Sequence, residues 1–106
     1  MDLEEYNPEG TKRLFFNNFL EFETFMSENK RLFTDRIVSS IREGVEKKSR
    51  SVLLFELELE TSDDLTSTSL VKSEWKNALE KCIEYYREED EVDLVIDTWE
   101  LLQKIK

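Results

Sequence analysis

The sequence predicts a small α+β domain dominated by helices, and three observations lead to this prediction. A chain of 106 residues fits one domain, because a second core needs at least about 50 residues of its own. Apolar residues recur with helical spacing in four segments and with a period of two in one segment. Two glycines and one proline are too few for the turns of an all-β fold. The predicted order is α-α-β-(β)-α-α, which is four helices with one central strand or β-hairpin.

The N-terminal third is predicted to hold an arm and a helix. Residues 1–10 end in a turn signal that contains Pro8 and Gly10, so we predict a flexible or capping arm, followed by a single α+β domain over 11–106. Thr11 is a candidate N-cap for a helix over 12–27. Its apolar stripe consists of Phe15, Phe19, Phe22 and Met26.

A second helix is predicted to start near Thr34 and Asp35, either of which can serve as its N-cap, and its apolar stripe recurs every fourth position. Gly44 is predicted to mark fraying near the end of this helix. The stripe consists of Phe33, Ile37, Ile41 and Val45, with Val38 beside it.

The segment 51–60 changes to a period of two and predicts a strand with one wet face. Its partner is either 65–71, returning after a turn at 61–64, or the same strand in a second chain. The apolar positions Leu53, Phe55, Leu57 and Leu59 alternate with Leu54 and a row of acids, Glu56, Glu58 and Glu60.

Two further helices are predicted, from 69 or 71 to 88 and from 91 to 104, joined by an acidic turn at 88–91. The last helix has one narrow polar stripe, Asp93, Asp97, Glu100 and Lys104, and is apolar nearly everywhere else. Such a helix needs cover on two sides, so it either lies in the centre of the domain or meets another chain.

Thirteen residues are predicted to form most of the core. The lone cysteine, Cys82, lies on the buried face of the third predicted helix and is predicted to be a small core residue rather than a reactive thiol. The other predicted core residues are Phe15, Phe19, Phe22, Ile37, Ile41, Phe55, Leu57, Trp75, Leu79, Ile83, Trp99 and Leu102.

The composition argues against several kinds of chemistry. The chain has no histidine, so it lacks the commonest general base and metal ligand, and we expect no enzyme activity, no cofactor and no metal site. One cysteine cannot close an intrachain disulfide, no apolar run is long enough to span a membrane, and the N-terminus is acidic. These features predict a cytoplasmic protein that does not bind membranes.

Negative charge concentrates in the second half of the chain, which sets the expected partner. The formal charge is −10, and residues 51–106 hold 15 acids and six bases. Such a field repels nucleic acid and attracts a basic protein surface. The predicted binding residues are the acidic groups of the second half and one aromatic: Glu56, Glu58, Glu60, Asp63, Asp64, Glu88, Glu89, Asp90, Glu91 and Trp99.

Two functions fit this pattern. The first is a small non-enzymatic accessory, adaptor or inhibitor protein that docks on a basic partner, with a homodimer through the 51–60 strand or the C-terminal helix as a further expectation. The alternative is a nucleic-acid mimic that inhibits a DNA- or RNA-binding protein, because carboxylates on alternate strand residues lie about 6–7 Å apart, near the phosphate spacing of a single strand.

Overall fold

A computed structural model describes residues 13–61 and 65–105, and for Leu65 the backbone alone. Within these ranges the strands are β1 (Arg13–Phe16), β2 (Ser51–Leu59) and β3 (Leu65–Val71). The four helices are α1 (Phe19–Glu28), α2 (Lys30–Glu46), α3 (Lys72–Glu88) and α4 (Val92–Ile105). The helix-dominated α+β class is therefore confirmed, with a sheet of three strands and the order β-α-α-β-β-α-α.

The prediction of one helix over 12–27 is wrong at its start, where the chain forms β1. Leu14 and Phe16 are buried and alternate with exposed neighbours, and Leu14 lies opposite Leu57 in a parallel pairing with β2. The helix begins only at Phe19, where the Asn18 side chain accepts a hydrogen bond from the Glu21 amide at 3.0 Å. The predicted cap Thr11 and the arm 1–10 lie outside the described residues.

The sheet has the order β1-β2-β3, and β2 runs parallel to β1 and antiparallel to β3. The hairpin partner 65–71 is thus the correct one of the two predicted alternatives. Over residues 56–58, β2 is paired on both sides. A strand from a second chain therefore has no free edge of β2 to pair with along that stretch.

A β-bulge in β2 corrects the predicted strict alternation. Leu53 lies opposite Ser69 and Phe55 opposite Thr68, so Leu54 is the extra residue. Leu54 and Phe55 are both buried, whereas Leu53 is half-buried. The bulge therefore keeps one apolar set on the covered face of the sheet: Val52, Leu54, Phe55 and Leu57.

Helix α2 packs on the covered face and holds the bulge through a buried arginine. Arg36 is only 5% exposed, and its Nε donates a hydrogen bond to the Leu54 carbonyl at 3.2 Å. This bond satisfies a backbone acceptor in the distorted part of the ladder. Helix α2 begins at Lys30, one turn earlier than predicted.

Helices α3 and α4 form an antiparallel hairpin that packs on α2. The Trp75 indole donates to the Leu70 carbonyl at 2.9 Å, which ties the first turn of α3 to β3. Both helices match their predicted bounds within about three residues. None of the helices in the described ranges is both long and apolar enough to cross a membrane.

Most of the predicted core is confirmed, and three residues are corrected. Phe15, Phe19 and Trp99 are exposed, because β1 turns Phe15 to the open face of the sheet and the other two face outward from their helices. Ile37 and Ile83 are half-buried, and the other eight are buried. Buried residues that the prediction left out include Leu14, Phe16, Val52, Leu54, Tyr86 and Leu101.

Candidate interaction surface

One side of α4 is covered by the domain and the other carries an exposed apolar stripe. Thr98, Leu101 and Leu102 are buried. Val92, Ile96 and Trp99 are 65%, 49% and 53% exposed. Their spacing places them on one face over about 10 Å of helix, and we call these three residues the α4 ridge. Within the described part of the chain nothing covers the ridge, so α4 has cover on one side only.

Carboxylates flank the α4 ridge. Asp93, Asp97 and Glu100 are exposed and lie next to its apolar members along the helix. Asp93 lies in the first turn, where a negative charge also stabilises the helix dipole. A helix-stabilising role explains Asp93 but not Asp97 or Glu100, which lie further along the helix.

The acidic turn 88–91 leads directly into the α4 ridge and has a defined backbone structure. Asp90 has φ 57, and its amide donates to the Arg87 carbonyl, while the Glu91 amide donates to the Tyr86 carbonyl at 2.9 Å. These bonds form a Schellman motif with Asp90 at the position that usually holds glycine. The acid at position 90 therefore occupies a backbone conformation in which glycine would be less strained.

An ionic cluster missed by the sequence reasoning fastens this turn to α2. Arg31 lies 3.0 Å from Glu91 and 3.1 Å from Asp35, and its guanidinium lies 5.8 Å from the Tyr86 ring centre. The Tyr86 hydroxyl donates to Asp35 at 2.5 Å. The hydrogen bond to Glu91 raises the pKa of Arg31. Glu91 is therefore half-buried and forms an ion pair within the domain, whereas Glu88, Glu89 and Asp90 are exposed.

The acidic row of β2 lies on a different surface. Glu56 and Glu58 point to the sheet face opposite the helices, and Arg13 of β1 lies 3.9 Å and 3.7 Å from their carboxylates. Glu60 is exposed just beyond β2, where its amide donates to the Phe16 carbonyl. Asp63 and Asp64 lie outside the described residues. Trp99 and the 88–91 turn thus belong to the α3–α4 hairpin, whereas Glu56 and Glu58 belong to the sheet.

Cys82 is buried, as predicted. Its sulfur lies 3.9 Å from the Thr34 carbonyl oxygen, and burial raises the pKa of the thiol to about 12, with a smaller contribution from the charge of Asp35. Burial also raises the pKa of Tyr86, helped by its bond to Asp35. Both groups therefore stay protonated in the folded protein at pH values where they ionise in the unfolded chain.

This difference predicts a loss of stability at alkaline pH. A folded pKa above the unfolded value means that the unfolded chain holds fewer protons, so stability is fully present below about pH 9 and falls as pH rises towards 12. Between these limits the free energy of unfolding should fall more steeply in the wild type than in Cys82→Ala, by up to about 1.4 kcal/mol per pH unit. Urea unfolding followed by tryptophan fluorescence measures both slopes, and equal slopes would contradict the prediction.

The described residues contain no group of three or more cysteine or acidic side chains arranged to hold a metal ion. No known protein family, curated protein or solved structure matches the chain.

Proposed function

We propose that this protein is a small non-enzymatic accessory or inhibitor protein that binds a basic partner through α4 and the acidic turn before it. The observation that carries the proposal is the α4 ridge, an exposed apolar stripe with Trp99 at one end and acidic groups along its length. Interfaces commonly combine such an apolar centre with a charged rim, and tryptophan is enriched among the residues that dominate binding energy.

Binding would proceed in two physical steps. The acidic second half first attracts a basic surface, which raises the association rate and makes it sensitive to salt. Val92, Ile96 and Trp99 then lose their contact with water against apolar groups of the partner, which supplies most of the affinity. Because Arg31 fastens the turn through Glu91, the acids at 88–90 are held in place before the partner arrives.

The alternative, mimicry of a nucleic acid by the β2 row, receives less support from the described contacts. A phosphate mimic needs carboxylates whose charge is not neutralised, and Arg13 lies within 4.0 Å of two of the three. The sheet also separates this row from the acids of the 88–91 turn, because Glu56 and Glu58 lie on the face opposite the helices. We therefore propose that the partner binds α4, and Glu56 and Glu58 serve as a control surface in the experiments below.

Calorimetry with a model partner tests the proposal. The probe is a helical peptide with leucines on one face and lysines on the other. Its control peptide has the same charge and alanines in place of the leucines. We expect the leucine peptide to bind more tightly, and Trp99→Ser to weaken its binding about tenfold or more, because the largest ridge side chain is lost. Raising the salt from about 50 mM to about 300 mM should weaken binding further.

Two double variants with the same change in net charge locate the surface. Asp93→Asn with Asp97→Asn should weaken peptide binding, whereas Glu56→Gln with Glu58→Gln should leave it nearly unchanged. Asp90→Gly adds a variant that removes one acid at a position where the backbone favours glycine. Equal losses from both double variants, or binding that does not change with salt, would refute the assignment to α4.

A further inference from the structure

The β3 strand has an outer edge without the features that normally protect such edges. Within the described sheet, β3 is paired with β2 on one side only. Proteins usually protect an edge strand by short length, charged residues, proline or a bulge. β1 is short and carries Arg13, but the seven residues of β3 include no charge and no proline, and the bulge lies in β2.

Hydrogen-bond directions show which groups of β3 face outward. The Lys72 amide, just after the strand, donates to the Arg50 carbonyl at 2.8 Å on the β2 side. Backbone groups of successive strand residues point to alternate sides, so those of Leu70 also point inward. By the same alternation, the N–H and C=O groups of Ser67 and Ser69 point to the outer edge, where an added strand would pair with them.

A cavity of about 350 Å³ lies between α2 and α3 and is lined by Leu70 of this same strand. Thr66 and Thr68 share the sheet face of Leu70, being opposite Leu57 and Phe55, yet Thr66 is exposed and Thr68 half-buried. The helices therefore leave this margin of the sheet open. The remaining lining combines Ile37, Ala78 and Cys82 with four polar residues, among them Glu74 and Lys81.

We propose that an extended segment of a partner protein binds the β3 edge as a fourth strand and places one bulky apolar side chain in this cavity. Backbone pairing with Ser67 and Ser69 supplies the alignment, and alternate side chains of the added strand point towards the helices. Flanking lysines or arginines complement the charge of −10. This surface is separate from the α4 ridge, so either proposal can hold without the other.

A second copy of the chain fits this edge less well. In an antiparallel pairing with full overlap of 65–71, Thr66 of one copy would lie beside Leu70 of the other. A threonine side chain is too short to fill a cavity of about 350 Å³. Two chains of charge −10 also repel each other. The occupant is therefore an extended basic segment with a larger apolar residue.

The test uses the peptide Lys-Lys-Thr-Thr-Leu-Thr-Thr-Lys-Lys and its leucine-to-alanine control. The protein carries Trp99→Phe, which leaves Trp75, bonded to Leu70, as the fluorescent reporter. Binding should slow amide hydrogen exchange at Ser67 and Ser69. Ser69→Pro removes an outward N–H and should weaken binding about tenfold, whereas Ser69→Ala keeps that N–H and should change it less than about twofold. The alanine peptide should also bind about tenfold more weakly.

Three outcomes would overturn the inference. The first is equal affinity of Ser69→Pro and Ser69→Ala for the peptide. The second is exchange protection on α4 instead of β3, which would place the peptide on the α4 ridge. The third is a dimer in sedimentation equilibrium that Ser69→Pro dissociates and that excludes the peptide. If Ser69→Pro does not fold, Ala78→Leu decides the matter, because it narrows the cavity without touching the edge and should weaken binding of the leucine peptide about tenfold.

Discussion

Replacing Phe22 by alanine is expected to lower the free energy of unfolding by about 3–5 kcal/mol. Phe22 is buried, and its ring centre lies 5.6 Å from that of Phe16, 5.7 Å from that of Phe55 and 6.4 Å from that of Phe33. It therefore joins α1 to β1, β2 and α2. Loss of the ring removes apolar burial and leaves a cavity among aromatic groups that cannot close it. Urea unfolding followed by fluorescence measures the change.

Phe19→Ala is the matched control for this prediction. Phe19 belongs to the same helix and its ring centre lies 5.8 Å from that of Phe22, but it is 49% exposed. Its loss should cost no more than about 1 kcal/mol, because much of its surface already faces water. Similar costs for the two variants would contradict the structure and favour the single buried stripe that the helical spacing predicts.

The fold was predictable where one period lasts for several turns. Helices α3 and α4 each keep a helical period over at least 14 residues, and their bounds follow from it. β1 has four residues, too few to establish a period of two, and its phenylalanines also fit the helical stripe that continues into α1. Its pairing with β2 depends on residues about 40 positions away, which no local pattern records.

The bulge in β2 and the buried Arg36 show a second limit to what the hydrophobic pattern of the sequence can predict. Leu53 and Leu54 are the same residue type, so alternation alone cannot decide which one faces the core. The decision comes from tertiary contacts, because Arg36 of α2 binds the Leu54 carbonyl and Phe55 packs on Phe33. An arginine within an amphipathic helix is normally assigned to water, and nothing in its spacing indicates a backbone partner in the sheet.

The candidate surface was predictable in its chemistry and only partly in its geometry. The acids of 88–91 and Trp99 belong to one helical hairpin, so sequence proximity is enough to place them together. The separation of Glu56 and Glu58 from that hairpin depends on which face of the sheet the helices cover. Their ion pairs with Arg13 depend on a strand that the periodicity did not predict. The sequence of the acidic row itself indicates neither its separation from the hairpin nor its contacts with Arg13.

Gly44→Ala is the second substitution with a large expected effect on stability. Helix propensity and steric overpacking act in opposite directions at this position, and their balance decides whether the protein gains or loses stability. An alanine in place of glycine inside a helix normally stabilises by about 1 kcal/mol. At this position an added Cβ would lie 2.6 Å from Val52 Cγ1 and 2.8 Å from Trp75 Cη2, both in the core. Overpacking of this kind costs about 1–3 kcal/mol, so Gly44→Ala should lower stability, whereas fraying at Gly44 would predict an increase.

A double-mutant cycle identifies the clash as the cause. Val52→Ala removes the Cγ1 atom that the new Cβ would meet, so its cost should be smaller in the Gly44→Ala background than alone. Glu46→Ala, at an exposed position of the same helix, should stay within about 0.5 kcal/mol of the wild type. A more stable Gly44→Ala protein, or purely additive effects, would mean that α2 does not approach β2 and Trp75 this closely.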